Sequence, residues 1–349
     1  MKTNDALTRR NFIEAGAAGA GLVAAGAAAG WLVTRNRGTT PEERPDHAVL
    51  DYDLTELEKV PPELMIYNEA PPIATGLHGV TCVASGPSGT LLVGGTRAIK
   101  TLSVNGAQPQ ATDLKFTPHD VHPLPDGRFA VITRKRLIIL DADGTVMVQA
   151  DVPDGRPFLT AVTGDDEHLL IADAGNREIL RYGHDGKFQM RFGRKNSEGN
   201  APGFVIPSPY FDITIASDGL VRATNTGRHR VEAYTTNGSY EFGWGTASMA
   251  IESFCGCCNP CYISVLTDGR TVTSEKGLNR IKIYGVDGEF EGVVAGPEHL
   301  VRDRAEAERA CEDCRVGFAF DVASDAEDRV YALDRVTGNL RVFEPRGLS

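Results

Sequence analysis

Cysteine is the residue type whose spacing most clearly predicts chemistry in this sequence of 349 residues. Six of the seven cysteines fall in two short segments, residues 255–261 and 311–314, and each segment contains a C-x-x-C pair. Two thiolates at that spacing suit one metal ion, and two such pairs complete a tetrahedral site. The first-choice ligands are the four cysteines of these pairs, and two neighbours are substitutes: Cys258, Cys261, Cys311 and Cys314, then Cys257 and Cys255. Thiolates without histidine favour zinc, copper(I) or an iron–sulfur cluster over calcium or magnesium.

Disulfide bonds are the alternative for the same residues, because small loops are often cross-linked in an oxidising compartment. Two features argue against complete pairing. Cys257 and Cys258 are adjacent and would bond to each other only with strain, and an odd total leaves at least one thiol over. The seventh cysteine, Cys82, is expected to be a core thiol.

The elements that must position these residues repeat along the chain from about residue 64. Asn-Gly and Asp-Gly pairs supply the positive φ angles that a two-residue hairpin turn needs, and five of them follow β-patterned runs. They are Asn105-Gly106, Asp143-Gly144, Asp185-Gly186, Asn237-Gly238 and Asp287-Gly288. Four of the five have a second turn 17 or 19 residues upstream, at Ser88-Gly89, Asp126-Gly127, Asp218-Gly219 and Asp268-Gly269. Because the later turns recur every 38 to 52 residues, the pattern predicts four-stranded propeller blades.

The units resemble the NHL repeat most closely in the third of them. A strand ending in an acid (Leu169–Asp173) is followed by Gly175-Asn176-Arg177, a strand ending in an aromatic residue (Ile179–Tyr182) and an Asp-Gly hairpin. The resemblance implies an all-β fold, a six-bladed β-propeller over residues 63–349. It is weak for function, because NHL-type propellers include lyases, hydrolases and binding surfaces.

Closure of the ring follows from the strands at its two ends. The strand-like run Glu63–Tyr67 has no partner of its own, and the last unit ends at Pro345 with too few residues for an outer strand. We therefore expect Glu63–Tyr67 to pair with Leu340–Glu344. Closure also predicts where the thiols lie: both cysteine segments precede inner strands of neighbouring blades, and their loops open on one rim of the central channel.

Histidine and aspartate at the starts of inner strands form a second set of candidates. His119, Asp120 and Asp212 would face the channel mouth, where propeller active sites gather. Their chemistry would be that of a propeller-type lyase or hydrolase. Zinc-dependent NHL lyases use repeating inner-rim histidines, and the units offer only His78 and His119 without a repeat.

The N-terminus resembles a twin-arginine export signal. Arg9-Arg10, followed by Phe12 and Ile13, precedes the weakly hydrophobic run Ala15–Val33. Residues 1–37 are thus a signal or a membrane anchor, and residues 38–62 are a polar, proline-bearing linker with at most a short helix near Leu54–Lys59. The resemblance implies a periplasmic or other extracytoplasmic body, which touches the membrane only through this segment if it is uncleaved. It also favours iron–sulfur, since that cofactor is inserted before export.

Charge restricts the partners. The formal net charge is −11, and the first 37 residues carry +3, so the remainder carries −14. A body this acidic repels phosphate backbones, which argues against nucleic acid. The sequence thus predicts an exported propeller with a metal or iron–sulfur site at the channel rim, used for electron transfer or for binding a protein or small molecule. A channel-mouth lyase or hydrolase and a disulfide-stapled protein-binding scaffold are the alternatives.

Overall fold

The protein is an all-β, six-bladed propeller. The computed structural model describes residues 55–103, 108–195, 200–301 and 318–347, which belong to one compact unit, Leu54–Ser349. Within these residues, six four-stranded antiparallel sheets are the blades. The predicted fold class is therefore confirmed.

The first three blades each run from an inner strand at the channel to an outer strand, in chain order. Blade 1 contains β2 (Cys82–Gly86), β3 (Thr90–Gly95), β4 (Ala98–Ser103) and β5 (Gln110–Asp113). Blade 2 contains β6 (Asp120–Pro123), β7 (Phe129–Ile132), β8 (Arg136–Leu140) and β9 (Val146–Asp151). Blade 3 contains β10 (Leu159–Gly164), β11 (His168–Asp173), β12 (Glu178–Gly183) and β13 (Phe188–Phe192).

The last three blades follow the same plan, except that the sixth borrows a strand. Blade 4 contains β14 (Ile213–Ile215), β15 (Val221–Asn225), β16 (Arg230–Tyr234) and β17 (Tyr240–Trp244). Blade 5 contains β18 (Tyr262–Val265), β19 (Thr271–Ser274), β20 (Ile281–Tyr284) and β21 (Phe290–Ala295). Blade 6 contains β22 (Asp321–Ser324), β23 (Val330–Asp334), β24 (Asn339–Pro345) and, outermost, β1 (Tyr67–Ala74).

The borrowed strand closes the ring. Tyr67 lies opposite Pro345 and Ala74 opposite Asn339 in the antiparallel β1–β24 pair. The Arg341 guanidinium donates two hydrogen bonds of 2.7 Å to the Glu69 carboxylate across the same pair. The closing strand begins at the last residue of the segment predicted for it, Glu63–Tyr67. That prediction of its bounds was wrong, because Pro62–Leu64 forms a 3-10 turn instead.

Burial on both faces explains the apolar runs of the middle strands. In β11, the four residues from Leu169 to Ala172 are all fully buried, because neighbouring blades pack against both faces of the sheet. The outer strand of the same blade, β13, has partly exposed residues from Phe188 to Arg191. The core therefore lies between blades, and the inner strands surround a channel.

The Asp-Gly hairpins are present, but their turn type differs from the prediction. In the β8–β9 turn the Gly144 N–H donates to the Asp141 carbonyl and the Asp141 N–H donates to the Thr145 carbonyl. Only Gly144 has positive φ, +83°, so this is a type I turn with a glycine bulge and not a two-residue primed turn.

Two short α-helices, α1 (Thr55–Glu58) and α2 (Pro297–Leu300), and two further 3-10 turns, Pro87–Gly89 and Thr226–Arg228, complete the described elements. The first coincides with the helix expected in the linker. The predicted export signal or anchor, residues 1–37, and most of the linker lie outside the described residues. In the part of the chain that the structure describes, no helix is long and apolar enough to cross a membrane.

Candidate functional site: the channel mouth and the neighbouring cysteine loop

A cavity of about 480 Å³ lies in the channel, lined by the inner strands of all six blades and by the loops that enter them. The end of the channel where those loops meet is its mouth. The acidic, basic, histidine and tyrosine side chains that line the cavity come from four of the six blades. They are Asp120, Asp212, Asp321, Arg134, Arg335, His119, His122, Tyr210 and Tyr262. Two of the predicted candidate regions, His119-Asp120 and Asp212, are thus brought together.

Three aspartates stand at equivalent positions in alternate blades. Each begins or directly precedes the inner strand of its blade and accepts hydrogen bonds from two backbone N–H groups. Asp120 accepts from Val121 in its own strand and from Val162 of blade 3, at 2.8 and 2.7 Å. Asp212 accepts from Ile213 and from Ile263 of blade 5, at 2.9 and 2.8 Å.

Asp321 completes the set by joining the last blade to the first. Its carboxylate accepts from the Val83 N–H of blade 1 at 2.8 Å and also from the N–H of Val322. Each aspartate therefore ties its own inner strand to that of the next blade. Blade 1 has no such aspartate, and Cys82 occupies the equivalent position at the start of its inner strand.

The environment disfavours negative charge on all three carboxyl groups. Burial raises the pKa of Asp321 to about 6, although the backbone hydrogen bonds oppose the shift. Burial, followed by the charge of Asp321, raises the pKa values of Asp120 and Asp212 well above their usual range. Carboxyl groups in such surroundings exchange protons closer to neutral pH than ordinary aspartates do.

Blades 2 and 6 each also contribute an arginine to the lining of the cavity. Asp120 pairs with Ile132 and Asp321 pairs with Leu333, and an arginine follows two residues after each partner. The first, Arg134, lies with its guanidinium carbon 4.5 Å from the centre of the Phe158 ring. The second, Arg335, donates from Nη2 to the Thr81 carbonyl at 2.8 Å and to the Tyr262 hydroxyl at 3.1 Å.

The two histidines that line the cavity, His119 and His122, differ in their surroundings. His122 is a cavity-lining residue whose pKa falls to about 4, because burial disfavours its charged form and His184 adds like charge. It is therefore neutral at physiological pH. His119 lies at the entrance to the same inner strand, and its backbone N–H donates to the Ile132 carbonyl at 2.8 Å.

The first predicted cysteine segment forms a loop beside this mouth, between β17 and β18. Its backbone is attached to the turn after β19: the Cys255 N–H donates to Glu275 at 3.0 Å, and the Asn259 amide exchanges bonds with the Lys276 backbone at 2.9 and 3.0 Å. The Lys276 ammonium lies 5.2 Å from the centre of the Tyr210 ring, which lines the cavity. The loop and the mouth are therefore neighbours.

Within the loop, the thiols are only partly brought together. The Cys257 and Cys258 sulfurs are 3.5 Å apart, and Cys257 is exposed. The Cys261 thiol is fully buried and donates to the Cys258 carbonyl at 3.3 Å. The Cys255 thiol instead contacts the Met249 sulfur at 3.6 Å. Among the described residues, no three His, Cys, Asp or Glu side chains are grouped so that they could hold a metal ion.

Burial also disfavours the thiolate form of Cys255, Cys258 and Cys261. It raises the pKa values of Cys255 and Cys258, and that of Cys261 well above its usual range. All five cysteines in the described ranges are free thiols. The fifth, Cys82, is 1 % exposed within the apolar cluster between blades 1 and 2, where the sequence placed it as a core thiol.

The other half of the predicted metal site, Cys311 and Cys314, lies outside the described residues. The described chain resumes at Phe318, whose carbonyl accepts a hydrogen bond of 2.9 Å from the Asn279 side chain. Asn279 belongs to the same turn of blade 5 that holds the 255–261 loop. Phe318, the first described residue after the second cysteine segment, is therefore attached to the support of the first.

Sequence reasoning missed Asp321, Arg134 and Arg335. The signal for Asp321 was available, because aligning the inner strands would have placed it in the column of Asp120 and Asp212. The arginines carry no comparable signal, since each stands in a turn whose side-chain direction depends on the ring.

Comparisons with known proteins support the fold. A catalytically inactive variant of virginiamycin B lyase from Staphylococcus aureus, with quinupristin, has a TM-score of 0.51 and 13% identity over 76% of this chain and 80% of that chain. A streptogramin B lyase has a TM-score of 0.51 and 13% identity over 81% and 99%. A protein of unknown function from Bacteroides thetaiotaomicron has a TM-score of 0.52 and 15% identity over 80% and 72%. No protein-family model and no curated protein matches the sequence. At these identities the likeness concerns the propeller architecture.

Proposed function

We propose that this protein binds a small molecule at the mouth of the propeller channel and acts on it by proton transfer, as a lyase or hydrolase. The observation that carries the proposal is the convergence of Asp120, Asp212, Asp321 and His119 on one cavity of about 480 Å³. A cavity of that size suits a small organic ligand.

All three aspartates accept two backbone N–H groups, so each fixes the inner strands of two neighbouring blades. Asp321, whose pKa is raised to about 6 by burial, is the proton donor of the proposal. His119, at the rim of the cavity, is the proton acceptor.

The likeness to virginiamycin B lyase supports the class of reaction. That protein is a lyase with the same architecture, and the structure of its inactive variant includes quinupristin. A ring of this kind is therefore compatible with elimination chemistry on a small molecule.

Blocking the cavity tests the proposal. Thr214 lines the mouth, and Thr214→Trp would fill part of it, whereas Ala142→Trp places the same side chain on an exposed turn of blade 2. Screening a small-molecule library by thermal shift should give ligands that stabilise the wild type and Ala142→Trp but not Thr214→Trp. Ligands that stabilise all three proteins equally would contradict the proposal.

We propose a second function for the cysteine loop, a zinc or iron–sulfur centre for electron transfer or partner binding in an exported protein. The attachment of both the 255–261 loop and Phe318 to one turn of blade 5 favours it. Cys258 and Cys261 would supply two ligands, Cys311 and Cys314 the other two, and Cys255 and Cys257 would be substitutes.

Elemental analysis with a thiol count on anaerobically purified protein tests this second proposal. An iron–sulfur cluster would give iron, sulfide and absorbance at about 400 nm, and zinc would give one equivalent of metal without colour. Loss of turnover in His119→Ala but not in Cys258→Ala would assign catalysis to the mouth. The reverse result would assign it to the cysteine loop.

A further inference from the structure

The hydrogen bonds left unmade at the mouth indicate what kind of ligand it takes. The three aspartates already accept backbone N–H groups from their own strand and the next blade. By contrast, the Nε–H of Arg335 is buried and has no hydrogen-bond partner among the described residues. A buried donor without a partner costs free energy, and a ligand acceptor would recover it. The guanidinium of Arg335, which lines the cavity, is therefore a donor that a bound ligand could use.

The charge at this point also favours an acceptor that is an anion. Arg335 and Arg134 line the same cavity. Burial opposes the ionisation of Asp120 and Asp212, which reduces the negative charge that would oppose an anion there. A guanidinium binds carboxylate more strongly than it binds a neutral carbonyl, because the hydrogen bond is charge-assisted.

Half-buried aromatic rings in the same cavity could contact an apolar part of the ligand. Phe158, Tyr210 and Tyr262 all line the cavity and all remain partly exposed. Tyr210 and Tyr262 meet edge to face with their ring centres 5.7 Å apart. Rings arranged in this way offer flat apolar surface to a ligand ring.

We infer that the channel mouth recognises a small organic anion that carries an aromatic or similarly flat apolar group. The anionic group binds Arg335, with Arg134 contributing charge, and the ring packs among Phe158, Tyr210 and Tyr262. This inference rests on the proposed function, because it names the ligand class of the same cavity.

Benzoate and benzamide are matched probes for this inference, since they share shape and differ in charge. Each is titrated into the wild type, Arg335→Gln, Arg335→Lys and Arg136→Gln by isothermal calorimetry at pH 7 and low salt. Arg136 is the control, because its side chain is 53% exposed and pairs with Asp151 on the outer part of blade 2. Thr214→Trp shows whether a probe binds in the cavity.

We expect the wild type and Arg136→Gln to bind benzoate roughly tenfold or more tightly than benzamide. Arg335→Gln should lose that preference and bind benzamide about as the wild type does, and Arg335→Lys should lie between. Equal binding of the two probes by the wild type, or an unchanged preference in Arg335→Gln with a native circular dichroism spectrum, would overturn the inference and leave the proposed function intact. Binding that persists in Thr214→Trp would contradict both.

Discussion

Each aspartate of the channel is a structural bridge and an ionisable group at once. The carboxylates of Asp120, Asp212 and Asp321 hold the inner strands of neighbouring blades in register through backbone N–H groups. The same positions are shielded from water, so that their ionisation is opposed. Stability and proton affinity are therefore coupled at these residues.

Asp321→Asn should reveal that coupling through the pH dependence of stability. The folded pKa of Asp321 is about 6 and an unfolded aspartate titrates near 3.9, so the folded state binds the extra proton as the pH falls through 6. The unfolding free energy of the wild type should gain about 1 kcal/mol relative to Asp321→Asn between pH 7 and pH 5. Urea denaturation of both proteins measures this. A constant difference across that range would contradict the assigned shift.

For His122→Asn, the change in the relative unfolding free energy between pH 7 and pH 5 should have the opposite sign to that for Asp321→Asn. Burial lowers the folded pKa of His122 to about 4, whereas an unfolded histidine titrates near 6.5. The wild type should therefore lose about 1 to 2 kcal/mol of unfolding free energy relative to His122→Asn between pH 7 and pH 5. The exposed-loop variant Asp166→Asn serves as control in the same titration. If His122→Asn follows the wild type at every pH, His122 titrates normally.

Individual residues were predictable where a local pattern marked them. Asp120 and Asp212 precede apolar inner-strand runs and could be identified from the sequence. The Nε–H of Arg335 could not, because its lack of a partner depends on three blades: Arg335 is in blade 6, Thr81 precedes blade 1 and Tyr262 is in blade 5. No window of the sequence contains all three.

The cysteine loop depends on a buried ion pair in the element beneath it. The Lys282 ammonium lies 2.7 Å from the Glu275 carboxylate, and both side chains are fully buried. Lys282 also donates to the carbonyls of Ile251 and Ser253 at 3.0 and 2.7 Å, just before the cysteines. Blade 5 therefore shapes the loop from below, independently of any metal.

Lys282→Met should destabilise the protein by about 3 to 5 kcal/mol, because Glu275 would remain buried without its counter-charge. The double variant Glu275→Gln/Lys282→Met removes both charges and should recover part of that loss. Guanidinium denaturation gives the free energies, and the rate of reaction with a thiol reagent gives the state of the loop. Buried Cys258 and Cys261 should react faster in Lys282→Met than in the wild type. Unchanged thiol rates would show that the pair does not hold the loop.

Elements were predicted best where turn chemistry and strand pattern coincide. The inner strand predicted to follow the first cysteine segment is β18, Tyr262–Val265. The closing strand lies further along the chain than the predicted segment. The sequence did not mark it as a strand because β1 contains Pro71 and Pro72, and proline ordinarily argues against a strand. Here they occur where the register with β24 shifts, between Ala70 and Ile73, on an outer strand whose other edge needs no partner.

At the scale of the molecule, closure makes the ring a single cooperative unit. Deletion of residues 1–75 removes β1 and leaves β24 with an unpaired edge, whereas deletion of residues 1–54 keeps every described strand. The shorter deletion should unfold in one transition like the full chain. The longer deletion should lose that transition or aggregate. Calorimetry and light scattering measure both, and a native-like transition in the longer deletion would show that the ring closes without β1.

The whole-molecule architecture was predictable because its signal is periodic. Turns at regular intervals predict blades, and blades predict which loops share a rim. The contents of the rim were less predictable, because the cavity forms from several blades and its donors and acceptors come together only after the ring has closed. For this reason the sequence indicated the cysteines as the main candidate site, whereas the structure favours the channel mouth.

The channel mouth is the ligand-binding site proposed for this protein. A crystal structure of the full chain soaked with benzoate tests it most directly. Density should lie between Arg335 and the rings of Phe158, Tyr210 and Tyr262, with the carboxylate within hydrogen-bond distance of the Arg335 guanidinium. Density at the cysteine loop or on an outer strand, with the mouth holding only water, would contradict it.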